Sequence, residues 1–337
     1  MTVLVTGAGG FLGSHLTDLL VASGERPRVL VRPGESSSAL RDATVDIHWG
    51  DIGDRAAVEA ALKGVDRVLH CAARTGPWGP EAEYERTNVR GLETLVRTAL
   101  AAGARRLVHV SSITVHGNDV RGAADESAPF RDEPNPYSRS KLAGERLLER
   151  MIRDEGAPVT IVRPGWIYGP RDRASFARLA RTIEKGQMIM VGAGDNHLPL
   201  IYARDAAQGV LLASQADHAA GRSYLLVNDE PVTQRDFIGA MAAELGAPAP
   251  TRHIPYTLGL MVGAGAENLG RWARRRRPPP VMRYGIQLLG GDNRFIIARA
   301  RQELGFAPLV DLAEGVRRSV EWYRGTCRVA GAAKARA

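Results

Sequence analysis

The sequence predicts an α/β fold: a doubly wound parallel sheet followed by a smaller mixed domain. Three observations lead there. Short β-branched runs alternate with helical patterns through the first half of the chain, as a parallel sheet with helical crossovers requires. Two of those runs, Val3-Leu4-Val5 and Val108-His109-Val110, are near-continuously apolar, as expected where both sheet faces are covered. A glycine-rich turn, Thr6-Gly7-Ala8-Gly9-Gly10-Phe11-Leu12-Gly13, joins the first strand pattern to the first helix pattern.

Taken in order, strands are expected over Thr2–Thr6, Arg28–Val31, Asp46–Trp49, Arg67–Cys71, Arg106–Ser111 and Pro158–Val162. Helices are expected over Phe11–Ala22, Arg55–Leu62, Tyr84–Ala102 and Pro136–Asp154. Crossovers of that length keep neighbouring strands parallel and right-handed. After about Gly169 the pattern becomes mixed. Helical stretches at Ala174–Lys185, Arg204–Ser214, Thr233–Leu245 and Val316–Tyr323 accompany a short strand at Ser223–Val227, with frequent Gly and Pro. The expected division is residues 1–170 as the dinucleotide-binding domain, with segments near 195–225 returning to it. Residues 171–330 form mainly the substrate side, and 331–337 a flexible tail.

The 337 residues suffice for two such units, and 44% hydrophobic content supplies a sizeable core. No apolar run reaches the ~18 residues of a membrane span, and the N-terminus reads as a strand rather than a signal peptide. The expectation is therefore a cytoplasmic protein. Cys71 and Cys327 are far apart and belong to no metal-spaced cluster, so neither a disulfide framework nor a bound metal is expected. Net charge is +8. Its most concentrated part is Arg271-Trp272-Ala273-Arg274-Arg275-Arg276-Arg277, stopped by three prolines. That run reads either as a solvated helix end or as a contact with anionic lipid or an acidic partner. No nucleic-acid-reading motif accompanies it, which argues against nucleic acid.

Gly7, Gly10 and Gly13 have the spacing of a phosphate cradle. Gly7 permits the tight turn, Gly10 the approach of backbone to a pyrophosphate, and Gly13 close packing of helix on strand. The helix N-terminus at Phe11 and Leu12 offers unpaired N–H groups and a favourable dipole to the anion. The domain is thus expected to be of Rossmann type. Where an acidic residue would accept from the ribose hydroxyls of NAD, the second strand ends in Val31-Arg32-Pro33-Gly34-Glu35-Ser36-Ser37-Ser38. Arg32 suits a 2′-phosphate, with the serines as further donors, so NADP(H) is favoured over NAD(H). Arg32 stacked on adenine is the plainer alternative. Asp51, after the third strand, is placed to contact the adenine amino group; otherwise it is a turn residue.

Tyr137 and Lys141 stand four residues apart and share one face of a helix. A neighbouring ammonium favours phenolate and lowers a tyrosine's pKa from its usual ~10. Lys141 also reaches a nicotinamide ribose. The pair gains meaning from hydroxyls at the end of an upstream strand, here Ser111-Ser112.

Together these segments resemble an extended short-chain dehydrogenase/reductase over nearly the whole chain. The matching segments are the glycine loop, Gly50-Asp51-Ile52, Cys71-Ala72-Ala73, Thr87-Asn88-Val89-Arg90-Gly91, Ser111 to Gly117, Tyr137 to Lys141, and Arg163 to Pro170. The resemblance implies that Ser112 polarises a carbonyl and Tyr137 gives or takes the proton. It implies that Lys141 binds ribose and that Asn88 supports the active-site helix. It also implies dinucleotide contacts from Ile52, Ala72, Ala73, Ser111, Pro164 and Ile167. A homodimer through the helices 84–102 and 136–154 is carried over in the same way.

Two features point away from sugar-nucleotide members of that superfamily. Ile113 and Thr114 follow Ser112 where dehydratases carry an Asp-Glu pair, and Trp166 stands where an asparagine is usual. Gly76-Pro77-Trp78-Gly79 and Asn135-Pro136-Tyr137 resemble the branch of 3β-hydroxysteroid dehydrogenases, sterol dehydrogenases and bacterial β-keto-acid reductases. The expected reaction is hydride transfer at a CH–OH or ketone group of a small hydrophobic substrate, with Trp78, Thr114 and Trp166 as candidate substrate contacts. The alternatives are a nucleotide-sugar epimerase and a non-catalytic NADP(H)-binding sensor or scaffold. The segment Pro255–Ala273 is apolar at helical spacing but interrupted by glycines. It reads as a core or cleft-lining helix, a substrate-tunnel wall, or, with the arginines to 277, a peripheral membrane contact.

Overall fold

The computed structural model describes residues 2–35, 40 and 44–328. The chain opens with β1 (Val3–Thr6), α1 (Phe11–Ala22), β2 (Arg28–Val31), β3 (Asp46–Trp49), α2 (Arg55–Leu62) and β4 (Arg67–His70). A helical turn at Glu81–Tyr84 becomes π-wound over Glu85–Gly91 and continues as α3 (Leu92–Ala101). Next come β5 (Arg106–Val110), α4 (Pro136–Glu155) and β6 (Val159–Pro164). They are followed by β7 (Trp166–Tyr168), α5 (Phe176–Glu184), β8 (Leu200–Tyr202), α6 (Ala203–Gln215) and β9 (Ser223–Leu226). The chain closes with α7 (Gln234–Leu245), α8 (Tyr256–Trp272), α9 (Arg283–Gly290), α10 (Ala298–Leu304) and α11 (Leu312–Trp322).

Seven strands form one parallel sheet in the order β9-β6-β5-β4-β1-β2-β3. Strand order reverses where β1 meets β4, with Thr6 opposite His70 at their C-terminal ends. A reversal of this kind leaves a crevice beyond the strand ends, where ligands of such folds sit. The side-chain period of two divides the core. Val3, Val5, Val29, Val31 and Val108 pack with Leu12, Leu16 and Leu20 of α1 and Val210 of α6. Leu4, Leu30, Val68, Leu107 and Val159 pack on the other face with Leu62 of α2, Leu95 of α3 and Leu148 of α4. A third cluster, including Phe176, Phe237, Met241, Val316 and Val320, builds the C-terminal region from α5, α7 and α11.

Ser223–Leu226 is the seventh strand of the main sheet and pairs with β6. Two points differ from the sequence expectation. The helix expected over Tyr84–Ala102 begins earlier and carries a π segment. β7 and β8, a parallel pair of three residues each, are too short to leave a legible period. The serines 36–38 and the tail 331–337 lie outside the described residues.

The glycine turn is built by contact. Gly7 has φ +71°, and a Cβ there would lie 2.6 Å from the Ala72 nitrogen. A Cβ on Gly13 would lie 2.1 Å from the Gly7 carbonyl oxygen, so α1 can approach the turn this closely only with glycine at that position. Gly13→Ala should therefore cost about 1–3 kcal/mol, the usual range for overpacking. Urea unfolding checks this, and an unchanged midpoint would mean that α1 shifts freely.

Candidate active site

A cleft of about 670 Å³ opens beyond the C-terminal ends of β1, β4, β5 and β6. At one end are Gly7, Gly10, Phe11, Leu12 and Gly13, with Arg32, Asp51 and Ile52 beside them. Ala72 and Ala73 line its middle. Ser111, Ser112, Thr114, Tyr137, Lys141, Pro164, Trp166 and Ile167 line the other end. Asn88 and Trp78 are not on its wall. Trp78 borders a separate arginine-rich cavity, where its indole donates to the Arg275 carbonyl at 3.1 Å. The expected substrate contact is displaced because the Gly76–Gly79 turn, with positive φ at both glycines, carries the ring outward onto Gly270 and Arg271.

Tyr137 and Lys141 owe their placement to the start of α4. Asn135 caps it, its Oδ1 accepting from the Ser138 N–H at 2.9 Å, and Pro136 occupies the first turn. Ser112 caps the short 3₁₀ turn Ile113–His116 and accepts from the Thr114 N–H at 3.3 Å. Burial raises the Tyr137 hydroxyl above its ordinary value, opposed only by its hydrogen bond with Ser112. The expectation that Lys141 lowers the phenol is thus corrected. The ammonium turns away from the phenol and donates to the Val110 carbonyl at 2.7 Å, and burial pushes Lys141 itself down to about 8.

Asn88 works from behind the wall. Its Nδ2 donates to Ser140 Oγ at 2.8 Å and to the Arg74 carbonyl at 2.9 Å, while its Oδ1 accepts from the Arg74 N–H at 2.7 Å. It thereby fastens the loop after β4 to α4. Gly144 makes room for it, since a Cβ there would lie 3.0 Å from the Asn88 carbonyl oxygen.

Beneath Lys141 lies a buried polar layer. Arg163 of β6 meets Glu145 of α4 at 2.6 Å, with the two side chains 3% and 0% exposed. Ser111 donates to Glu145, and Arg163 also reaches His116 and the Glu126 carbonyl, each at 3.2 Å. His70 bonds to Thr6 at 2.7 Å; burial and the Lys141 charge push it down to about 3. The same causes hold His109 well below its ordinary value, and burial pushes the Cys71 thiol up to about 12.

The first end of the cleft fits a dinucleotide diphosphate. The cap of α1 is Gly10, which makes no side-chain hydrogen bond, and the first turn has no acidic residue. Its N–H groups and dipole therefore face the cleft uncompensated. Arg171, at φ +76° and paired with Asp18 at 2.7 Å, adds positive charge on the same wall. Among the described residues Arg32 pairs with Glu35, at 3.4 Å, and it is largely exposed. Asp51 accepts from the Gly53 N–H at 2.8 Å and so also serves its own turn.

At the second end, Trp166 is set edge-on to Phe237 and donates to Ser175 at 3.3 Å. The Thr114 hydroxyl is buried and has no hydrogen-bond partner among the described residues. Tyr284 and Leu288 of α9 close this end, and sequence reasoning missed both. Their spacing of four residues was the available signal.

A family model described as the NAD dependent epimerase/dehydratase family matches residues 3–226. The chain is 32% identical to a 2-alkyl-3-oxoalkanoate reductase of Stenotrophomonas maltophilia, over 94% of this chain and 98% of that protein. It is 35% identical to sterol demethylase protein B of Methylococcus capsulatus, over 96% and 98%. Among solved structures it resembles a dTDP-glucose 4,6-dehydratase of Streptomyces venezuelae holding NAD. There the TM-score is 0.78 and the identity 26%, covering 97% of this chain and 98% of that one.

The Arg163–Glu145 pair yields a stability prediction. Glu145→Leu leaves Arg163 buried and uncompensated, and should cost about 3–5 kcal/mol. The double replacement Glu145→Leu with Arg163→Met should cost less than the single one. A double-mutant cycle by urea unfolding checks this; additive losses would mean that the two side chains act separately.

Proposed function

The chain belongs to the NAD dependent epimerase/dehydratase family and is an NAD(P)-dependent oxidoreductase of the extended short-chain type, and from that premise we propose that it reduces a ketone, or oxidises the matching secondary alcohol, on a small hydrophobic substrate. The observation that carries this is the convergence of Ser112, Tyr137 and Lys141 at one end of a cleft whose other end is an uncapped glycine turn. A bound nicotinamide supplies or removes the hydride at carbon. Tyr137, kept protonated by burial, donates its proton to the carbonyl oxygen, and Ser112 hydrogen-bonds that oxygen. Lys141, hydrogen-bonded to the Val110 carbonyl, holds the ribose.

Trp166, Ile113, Ile167, Tyr284 and Leu288 support an apolar substrate, and the unpaired Thr114 hydroxyl supplies one polar contact. A β-keto or β-hydroxy acyl compound, a hydroxysteroid or a sterol has that character, in keeping with the names of the two relatives. Arg32 in place of a carboxylate supports NADP(H) over NAD(H). We assign the dinucleotide to residues 1–170 with 195–225, and the substrate mainly to 171–330. The family resemblance supports a homodimer through the helices 84–102 and 136–154. The free Cys71 thiol suits the reducing cytoplasm.

NADPH oxidation by a panel of steroid and β-keto ketones tests the reading. Redox-neutral conversion of a sugar nucleotide would replace it with an epimerase, and cofactor binding without turnover would replace it with a sensor. Tyr137→Phe should lower turnover by roughly 10²–10⁴-fold while leaving NADPH affinity, followed by fluorescence, nearly unchanged. Equal turnover would remove Tyr137 from the chemistry. Arg32→Asp should shift the NADPH/NADH preference towards NADH in kcat/KM; an unmoved ratio would show that Arg32 does not read the 2′-phosphate.

A further inference from the structure

The helix α8 carries a surface that the cleft does not use. Its inner face is small: Gly259, Gly263 and Gly270 are buried, together with Glu267. A Cβ at Gly259 would lie 3.1 Å from Ile286, at Gly263 2.7 Å from the Arg283 nitrogen, and at Gly270 3.1 Å from Trp78. The helix thus lies close against α9 and the Trp78 turn. Its outer face is the reverse. Leu258, Met261, Val262, Leu269 and Trp272 are 47%, 71%, 46%, 60% and 84% exposed. With Gly265, these positions fall within an arc of roughly 100° at the helical period. The stripe runs the length of a 17-residue helix, about 25 Å.

Basic charge adjoins the stripe at one end. Arg274–Arg277 follow Trp272 after Ala273, and among the described residues none of these four arginines has a carboxylate partner. The one carboxylate of α8, Glu267, is buried and taken by Arg283 at 2.8 Å. A straight, narrow apolar stripe that ends in tryptophan beside unpaired arginines matches the boundary between acyl chains and anionic headgroups. A second copy of this chain would bring the same four arginines, and the nearby Glu81 and Glu83 are already paired with Arg139 and Arg74. No helix among the described residues is long and apolar enough to cross a membrane.

We propose that α8 and Arg274–Arg277 form a docking face for the surface of an anionic phospholipid bilayer. The stripe lies in the plane of the interface, and the arginines hold headgroup phosphates. The proposal does not depend on the reaction. It does place the α8–α9 unit, whose Tyr284 and Leu288 close the cleft, against the lipid phase.

Flotation of the full chain with vesicles tests it. Wild type should float with vesicles of mixed phosphatidylglycerol and phosphatidylcholine, and much less with phosphatidylcholine alone. Met261→Glu with Trp272→Glu should lower the partition coefficient at least tenfold, and so should replacement of Arg274–Arg277 by Gln. Circular dichroism and NADPH affinity should stay as in wild type for both variants. Three outcomes would overturn the proposal. One is no flotation with phosphatidylglycerol vesicles. Another is a double-Glu variant that partitions like wild type. The last is an oligomer of the wild type that the double-Glu variant dissociates, which would assign the stripe to a second copy.

Discussion

Arg163 and Glu145 meet inside the protein, where neither charge has access to solvent. Such a pair is tolerated only when its remaining donors and lone pairs are also met, because removing two ions from water costs more than their attraction alone returns. Here Ser111, His116 and the Glu126 carbonyl complete the set. Those contacts join the ends of β5 and β6 to the middle of α4. Glu145 lies four residues beyond Lys141, and Lys141 four beyond Tyr137, so all three share a helix face. Holding Glu145 at the sheet therefore sets the rotation of α4 about its axis. That rotation aims Lys141 at the Val110 carbonyl and Tyr137 at Ser112.

The same layer determines which group carries the positive charge. Three basic side chains, Lys141, His70 and His109, converge on a buried volume beneath the cleft. Burial disfavours charge on all of them, but an imidazole starts with a lower pKa and loses first. The Lys141 ammonium then suppresses both imidazoles further. Two imidazole rings, 5.2 Å apart and tilted by 30°, are left as packing, and Lys141 is the cation of the site. Asn88 supplies the second fixed point. The π winding of Glu85–Gly91 turns it towards α4. From there it ties the loop that follows β4 to Ser140, the residue before Lys141.

Much of this was legible because the chemistry depends on short, rigid spacings. The glycine turn is legible since each glycine answers a steric demand within a few residues, and the Tyr137–Lys141 pair since four residues is one helical turn. The sheet was legible strand by strand, and segments near 195–225 were expected to return to its domain, but the strand that Ser223–Leu226 pairs with was not named. Ser223–Leu226 looks the same in sequence whether it pairs with β6 or with a separate layer. Trp78 was misjudged for a similar reason: the Gly76–Gly79 turn decides where the ring points, and sequence does not record that angle. The direction of the Tyr137 shift was also out of reach. Spacing places Lys141 near the phenol but does not reveal that its ammonium bonds elsewhere. Tyr284 and Leu288 enter the cleft from far along the chain, so only tertiary packing brings them there.

α8 shows how one pattern can carry two opposite meanings. Glycines among apolar residues at helical spacing suggest a core helix, with large side chains inward and gaps filled by neighbours. The contacts reverse that arrangement. Glycines face inward because α9 and Trp78 come so close that a Cβ would collide at Gly263 and crowd its neighbours at Gly259 and Gly270. The large side chains are left to the outside by elimination. A helix seated on its small face gives up most of the burial that would otherwise hold it. That arrangement is stable in water only at some cost, since each exposed apolar group forgoes transfer out of solvent. The cost falls if the outer face meets a second apolar phase. The glycine face and the exposed stripe are therefore two consequences of one packing choice. It leaves α9 free to close the cleft from within while α8 presents its large side chains outward.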